Sequence, residues 1–273
     1  SKRTFLPLVD RNVFNFCGPL VLTNLLIWVQ LYAYRLITNK ALGSDLLSDL
    51  AIALGVALAV FAMVEAVINQ YFYPELLRKI AQKEQADRVN AWSDLFKKAI
   101  IIYFFVGIFV IFCSKSLMTI LTDEKFHQIY IITSLAAIIE LGRVINNVFL
   151  LLYQSEKRTE LTIIPYFIGT FVLLVCLSIF EIEASILNVI VALMLSQWCV
   201  TLYLLIRSKL QFNIDFTQLF KIKNKSLIIS LVIFGVLMKL SRLSEELTFH
   251  ILILFAGLVL LGYLTYPYLE KKK

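Results

Sequence analysis

Residues 126–154 read FHQIYIITSLAAIIELGRVINNVFLLLYQ, and this stretch decides the fold class. A run of about twenty predominantly apolar residues is enough to cross a bilayer core of about 30 Å as a helix. Glu140 and Arg143 stand in mid-span, where a charge costs roughly 2.5–3.5 kcal/mol on insertion scales. At helical spacing Thr133, Ala136, Glu140, Arg143 and Asn147 fall on one face, with Asn146 beside them, and the back is Ile, Leu, Val and Phe. A membrane helix with such a stripe turns it toward protein or water, not lipid.

Working outward, the rest of the chain has the same character. Hydrophobic residues make up 60% of its 273 residues and charged residues only 16%, with a mean hydropathy of +0.82. Those values describe a polytopic membrane protein and leave no room for a large soluble domain. The expected fold is an all-α bundle of about eight spans: residues 13–34, 47–73, 99–113, 126–154, 161–180, 186–206, 226–240 and 249–269. The first carries Pro19, Asn24 and Gln30 and ends at Arg35; NKALGSD is a turn. The second carries Ala51, Gly55, Ala62, Glu65 and Asn69 at helical spacing, a pattern that suits close helix contact, and is expected to stop at Tyr73-Pro74-Glu75. Residues 75–98, with Leu76, Ile80, Val89, Trp92 and Phe96 among charges, read as an interfacial connecting helix or pair of turns. The short third span is followed by the amphipathic segment SKSLMTILTDEKF, and residues 207–225 form a basic loop.

The net charge of +7 is a matter of orientation rather than of nucleic-acid binding, because the basic residues sit in short loops. With eight spans, one side holds Arg35, Lys40, Lys115, Lys125, Lys239 and Arg242. Every other Lys and Arg except Arg143 falls on the side of the termini. By the positive-inside rule both termini are expected in the cytoplasm.

The chemistry-bearing residues are few. Cys17, Cys113, Cys176 and Cys199 are dispersed in or beside apolar spans, with no CxxC or metal spacing. His127 and His250 are isolated from each other, and no P-loop, HExxH or GxSxG motif occurs. No enzyme activity, cofactor or metal is expected. The mid-span charges Glu65, Glu140 and Arg143 remain, with two readings. In one, Glu140 and Arg143 neutralise each other at i,i+3 and Glu65 and the asparagines are interhelical glue. In the other they line a water-filled cavity and meet an ionic substrate or a coupling ion. Gln30, Tyr34 and Arg35 admit a similar pair of readings, as sugar or phosphate contacts or as interfacial anchors.

Residues 18–81, with Pro19, Arg35, the turn glycine Gly43, the small-residue run Ala51 to Ala66 and Pro74, resemble the start of the second lobe of a polysaccharide flippase. Residues 114–174 are similar to the helices that follow in that family, with Asp123 where members often have Gly. The family is the multidrug/oligosaccharidyl-lipid/polysaccharide exporter superfamily, whose O-antigen and capsule members are Wzx-type proteins; the resemblance covers residues 5–206. It implies two six-helix lobes around a central cavity, often with two extra C-terminal helices. Residues 1–206 would be a second lobe and 207–273 the basic loop and two extra helices. A chain that opens on Ser is then expected to be the C-terminal part of a longer transporter.

On this resemblance the function would be translocation of a polyprenyl-pyrophosphate-linked oligosaccharide across a bacterial inner membrane. Arg143 would meet the anionic head and Glu140 would hold its rotamer. Asn146, Asn147, Asn24, Gln30 and Arg35 complete the substrate set, and Glu65 and Asn69 would bind sugar or a coupling cation. The implied partners are the lipid-linked oligosaccharide, membrane lipid, an N-terminal lobe and a polysaccharide polymerase, with no nucleic acid. The competing readings are a cation-coupled drug exporter, a membrane enzyme acting on the same glycolipids, and a non-transporting scaffold.

Overall fold

The computed structural model describes residues 11–81, 84–180, 185–216, 224–241, 243 and 246–269. Every regular element among them is helical: α1 (Arg11–Trp28), a π-helical stretch (Val29–Ala33), α2 (Tyr34–Ile80), α3 (Gln85–Leu121), α4 (Tyr130–Ser155), α5 (Ile163–Ile179), α6 (Ile186–Phe212), α7 (Asn224–Ser241) and α8 (Leu247–Leu269). Short 3-10 segments, Glu124–Ile129 and Thr159–Thr162, lead into α4 and α5. Among the described residues seven helical stretches are long and apolar enough to cross a membrane, and Leu231–Ser241 of α7 is a shorter apolar helix. The chain is an all-α polytopic bundle.

Several boundaries differ from the sequence expectation. The first span runs past Arg35 to Ala41, and the chain reverses at Gly43 (φ 78°, ψ 173°), backbone angles that only glycine adopts without strain. The helix that follows does not stop at Pro74 but continues to Ile80. Proline costs one backbone hydrogen bond, a loss that packed membrane helices absorb, and the Arg78 Nε donates to the Pro74 carbonyl at 3.4 Å.

Residues 75–98 are not a separate interfacial helix. They are the end of α2 and the start of α3, and Leu76, Val89, Trp92 and Phe96 are buried. Their apolar stripe faces protein: Trp92 stacks on Phe96 and Phe149 at 4.8 and 5.4 Å, and its Nε1 donates to the Val148 carbonyl at 2.8 Å. An amphipathic pattern reports a two-faced helix, and here the second face meets α4 instead of lipid headgroups. The SKSLMTIL part of the next amphipathic segment likewise continues α3 to Leu121. At 37 residues α3 is about 55 Å long, well beyond a bilayer core. The expected basic loop begins later as well, since α6 reaches Phe212 and ends at Asn213 in the left-handed conformation (φ 52°); residues 217–223 lie outside the described set.

The centre of the bundle is α3, packed against α2, α4, α7 and α8. Its Tyr103, Phe105, Val106, Phe109 and Val110 are buried. A second layer is α5 on α6, with α1 against α5, and α4 joins the layers through α6. Gly169 on α5 makes this layer tight: a Cβ there would run into Val200 of α6 and sit 3.2 Å from the Ser196 carbonyl. The inward face of α2 is Leu50, Ala53, Val56, Ala57, Val60, Phe61 and Ile68. The small-residue face expected to make close helix contact is divided: Gly55, Ala62 and Asn69 are exposed, with nothing within 4 Å of a Cβ on Gly55, whereas Ala51 and Glu65 are half-buried and Glu65 meets α4. Small size alone does not say which face is covered when the opposite face is equally apolar.

Candidate functional site

The polar face read from residues 126–154 divides in two. Its charged half joins α4 to α2. Arg143 Nε donates to Glu140 Oε2 at 2.6 Å, and Arg143 Nη1 donates to Glu65 Oε2 at 3.1 Å. Asn147 Nδ2 donates to the other Glu65 oxygen at 2.7 Å. Spacings of three and four residues on α4 put Glu140, Arg143 and Asn147 on one face, and α2 supplies Glu65 opposite. The side chains are 5% (Glu140), 11% (Arg143) and 17% (Glu65) exposed. Arg143 Nη2 is buried without a hydrogen-bond partner. With both carboxylates ionised, the cluster carries one negative charge in excess.

Glu65 and Asn147 line a cavity of about 200 Å³ together with Asn69, Tyr103 and Gln154. Asn69 itself is exposed and sits one turn below Glu65, at i,i+4. Glu65 thus stands between Arg143 on one side and an open cleft on the other. Tyr103 and Gln154 are additions to the expected set. Gln154 is seven residues beyond Asn147, on the same face, and that spacing was available in the sequence. Nothing in the sequence separates Tyr103 from the other aromatics of α3.

Asn146, one residue from Asn147, points 100° away and belongs to a different network. Its Nδ2 donates to the carbonyl and side-chain oxygen of Gln197 at 3.3 and 3.2 Å, and its Oδ1 accepts from Thr201 Oγ1 at 2.8 Å. Gln197 Nε2 donates onward to Gln30 Oε1 at 3.3 Å. Gln30 Nε2 donates to the Tyr166 carbonyl at 2.8 Å and to Thr170 Oγ1 at 3.1 Å. Gln30 lies in the π-helical stretch and is 1% exposed, as is Asn146. Gly142 permits this approach, with a Cβ there only 3.3 Å from that of Gln197. These amides have their donors and acceptors taken up by protein, so Asn146 and Gln30 tie α1, α4, α5 and α6 together.

The remaining expected residues stand apart from both networks. Asn24 is exposed; the helix period turns its neighbour Thr23 inward, where Oγ1 meets Thr162 Oγ1 at 2.7 Å. The Arg35 guanidinium lies 5.3 Å from the Tyr32 ring centroid and 6.0 Å from that of Tyr34, a cation–π stack near the Gly43 end. The structure therefore brings together Glu65, Asn69, Glu140, Arg143 and Asn147, joins Asn146 to Gln30 elsewhere, and leaves Asn24 and Arg35 separate.

A larger cleft of about 930 Å³ opens at the opposite end of the bundle, between the start of α1, the end of α2 and the end of α4. Val13, Phe16 and Leu77 line it with Asn15, Gln154 and Lys157. It follows from the packing: α1 leans on α5 while α2 leans on α3 and α4, so the two diverge from the Gly43 turn. Comparison of the chain with protein-family models, curated proteins and solved structures returns no match.

Proposed function

We propose that this chain is a lobe of a membrane transporter that moves a polyprenyl-pyrophosphate-linked oligosaccharide across a bacterial inner membrane, with its termini in the cytoplasm. The observation that carries the transport reading is the mid-span cluster of Glu65, Arg143, Glu140 and Asn147, two carboxylates on one guanidinium bordering a cleft. A purely structural ion pair needs one carboxylate for one guanidinium. A second carboxylate that leaves net charge inside a membrane is a cost that packing does not require. The choice of cargo rests on the resemblance of residues 5–206 to Wzx-type flippases. A cleft of mixed polarity between α1, α2 and α4 suits a cargo that is apolar along one side and polar along the other.

The geometry changes the part assigned to Arg143. Its charge is already engaged by two carboxylates, which leaves Nη2 as its free donor in the described structure. The second carboxylate on one guanidinium is the specific observation that favours a second reading, a cation-coupled exporter of cationic compounds.

The deciding experiment measures polyprenyl-linked oligosaccharide at the cytoplasmic leaflet, together with surface glycan, in cells lacking the intact protein. Accumulation of the lipid-linked intermediate with loss of surface glycan is the expected result. Unchanged levels of both, with raised sensitivity to cationic drugs, would replace the flippase reading by the exporter.

A further inference from the structure

A separate groove of about 530 Å³ lies between the start of α3 and the end of α6, and it shares no lining residue with the two clefts above. One wall is a face of α3 that carries Val89, Ser93 and Lys97 at helical spacing. The other wall is the strap that follows α6. Asn213 ends that helix in the left-handed conformation, and the chain then turns back onto the bundle. Phe212 meets Tyr153 at 5.9 Å, Ile214 is buried, and Phe216 meets Phe96 and Phe149 at 6.0 and 6.1 Å. Anchoring by alternate residues leaves Asn213 and Asp215 exposed at the rim.

The side chains in the groove ask for two things at once. Lys97 makes no ion pair among the described residues; its neighbour Lys98 is turned away, over the Phe72 ring at 5.2 Å. Lys97 is therefore a cation open to an anion. One turn below it, Ser93 Oγ donates its proton to the Val89 carbonyl at 2.8 Å, so what it offers the groove is an acceptor. Gln211 Oε1, across from it, is buried without a hydrogen-bond partner in the described structure, a second acceptor that needs a donor. Asp215 adds a carboxylate at the rim. A fitting ligand carries an anion at one end and N–H or O–H donors at the other. Lys97 and Asp215 are the charged residues of the lining, so the groove is neutral and matches a ligand of no net charge.

Depth narrows the choice. The apolar run of α3 begins at Ala99 and that of α6 ends at Ile206. Lys97 thus stands about 3 Å, and Ser93 and Gln211 about 8 Å, beyond those edges. The headgroup layer extends about 5–8 Å beyond the hydrocarbon core on each side. Leu202, Ile206 and Leu210, exposed on one face of α6, form an apolar ridge beside the groove on which acyl chains can lie. We propose that the groove is a headgroup site for phosphatidylethanolamine, with the lipid phosphate on Lys97 and the ammonium donating to Gln211 Oε1 and Ser93 Oγ beside Asp215. The ethanolamine linker puts anion and cation within one helical turn of each other, the separation of Lys97 from Ser93. A choline head has the same charges but no N–H, and a phosphoglycerol head has donors but a net negative charge. The site is independent of what the chain transports.

The test uses the full chain, purified in detergent and stripped of lipid, with bound lipid counted by native mass spectrometry. The probes are phosphatidylethanolamine, phosphatidylcholine and phosphatidylglycerol with identical acyl chains. The ethanolamine lipid is expected to bind about tenfold or more tighter than the choline lipid, because methylation removes hydrogen bonds from a charged donor and keeps both charges. Gln211→Leu should erase that preference by weakening the ethanolamine lipid alone, with the melting temperature unchanged, since Oε1 has no partner to lose. Lys97→Gln should weaken both lipids alike and leave their ratio. Equal binding of the two lipids by the unsubstituted chain, a preference for phosphatidylglycerol, or survival of the preference in Gln211→Leu would overturn the site. Soluble phosphoethanolamine at the lipid's own concentration is expected to leave the lipid bound. Displacement would assign the groove to a soluble ester and overturn the lipid. None of these readouts involves transport, so failure of the flipping assay and failure of this site are told apart.

Discussion

Two polar networks cross this bundle within one helical turn of each other on α4, and they are built to opposite rules. The network of Gln30, Asn146, Gln197 and Thr201 is neutral, buried and hydrogen-bonded within the protein. The network of Glu65, Glu140, Arg143 and Asn147 is charged, carries a guanidinium nitrogen without a partner, and opens on a cleft. Satisfied amides between helices specify which helices pack and in what register. An unbalanced charge in mid-membrane does neither job economically, because the same contacts made by apolar side chains are as stable or more so. On the proposed function, the difference separates residues that hold the bundle from residues that a transported ion or cargo would act upon.

Substitutions break or sharpen that contrast. The largest effect is expected for Arg143→Ala, which strands Glu65 and Glu140 without their counter-charge; removing one partner of a buried pair costs about 3–5 kcal/mol. Thermal unfolding in detergent reads the loss, and the combined Glu65→Gln, Glu140→Gln, Arg143→Ala variant should recover much of it. Recovery fails if Arg143 acts by packing alone. Next is Asn146→Leu, which leaves the Gln197 side chain and Thr201 short of partners at a cost of about 1–3 kcal/mol, with transport per folded molecule unchanged. A specific transport defect in that variant would erase the distinction between the networks. Asn69→Ala should do the reverse: as an exposed side chain it shifts stability by less than about 0.5 kcal/mol, yet it slows transport by removing a polar side chain from the cavity at Glu65. The smallest effect is that of Asn24→Ala, expected to be silent in both assays because the residue is exposed and joins neither network.

Much of the fold is legible in the sequence because bilayer thickness and helix rise translate apolar runs directly into spans. Span ends are harder to see. The Trp92 and Phe96 stripe looks the same whether it meets headgroups or α4, so residues 75–98 read as an interfacial segment instead of the ends of α2 and α3. In the site, Glu140, Arg143 and Asn147 are visible together because they share one helix and the 3.6-residue period puts them on one face. Their pairing with Glu65, 78 residues away, depends on how α2 docks against α4, which no local pattern encodes. The separation of Asn146 and Gln30 from that cluster is hidden for a related reason. Adjacent polar residues on a helix diverge by 100°, and whether the second finds a partner depends on a helix elsewhere in the chain, here α6 with Gln197. Asn24 shows the same limit from the other side, since its neighbour Thr23 takes the inward position.

The most direct measurement is the rate of flipping of a lipid-linked oligosaccharide by Glu65→Gln, in reconstituted vesicles at matched amounts of folded protein. The substitution keeps the side chain's shape, gives Asn147 an oxygen to bond, and leaves Arg143 and Glu140 as a neutral pair, so the melting temperature should be unchanged or higher. The account predicts that flipping nonetheless falls by about tenfold or more, a barrier increase of at least about 1.4 kcal/mol. Flipping at the unsubstituted rate would show that the charged network is packing like its neutral neighbour, and would contradict the account.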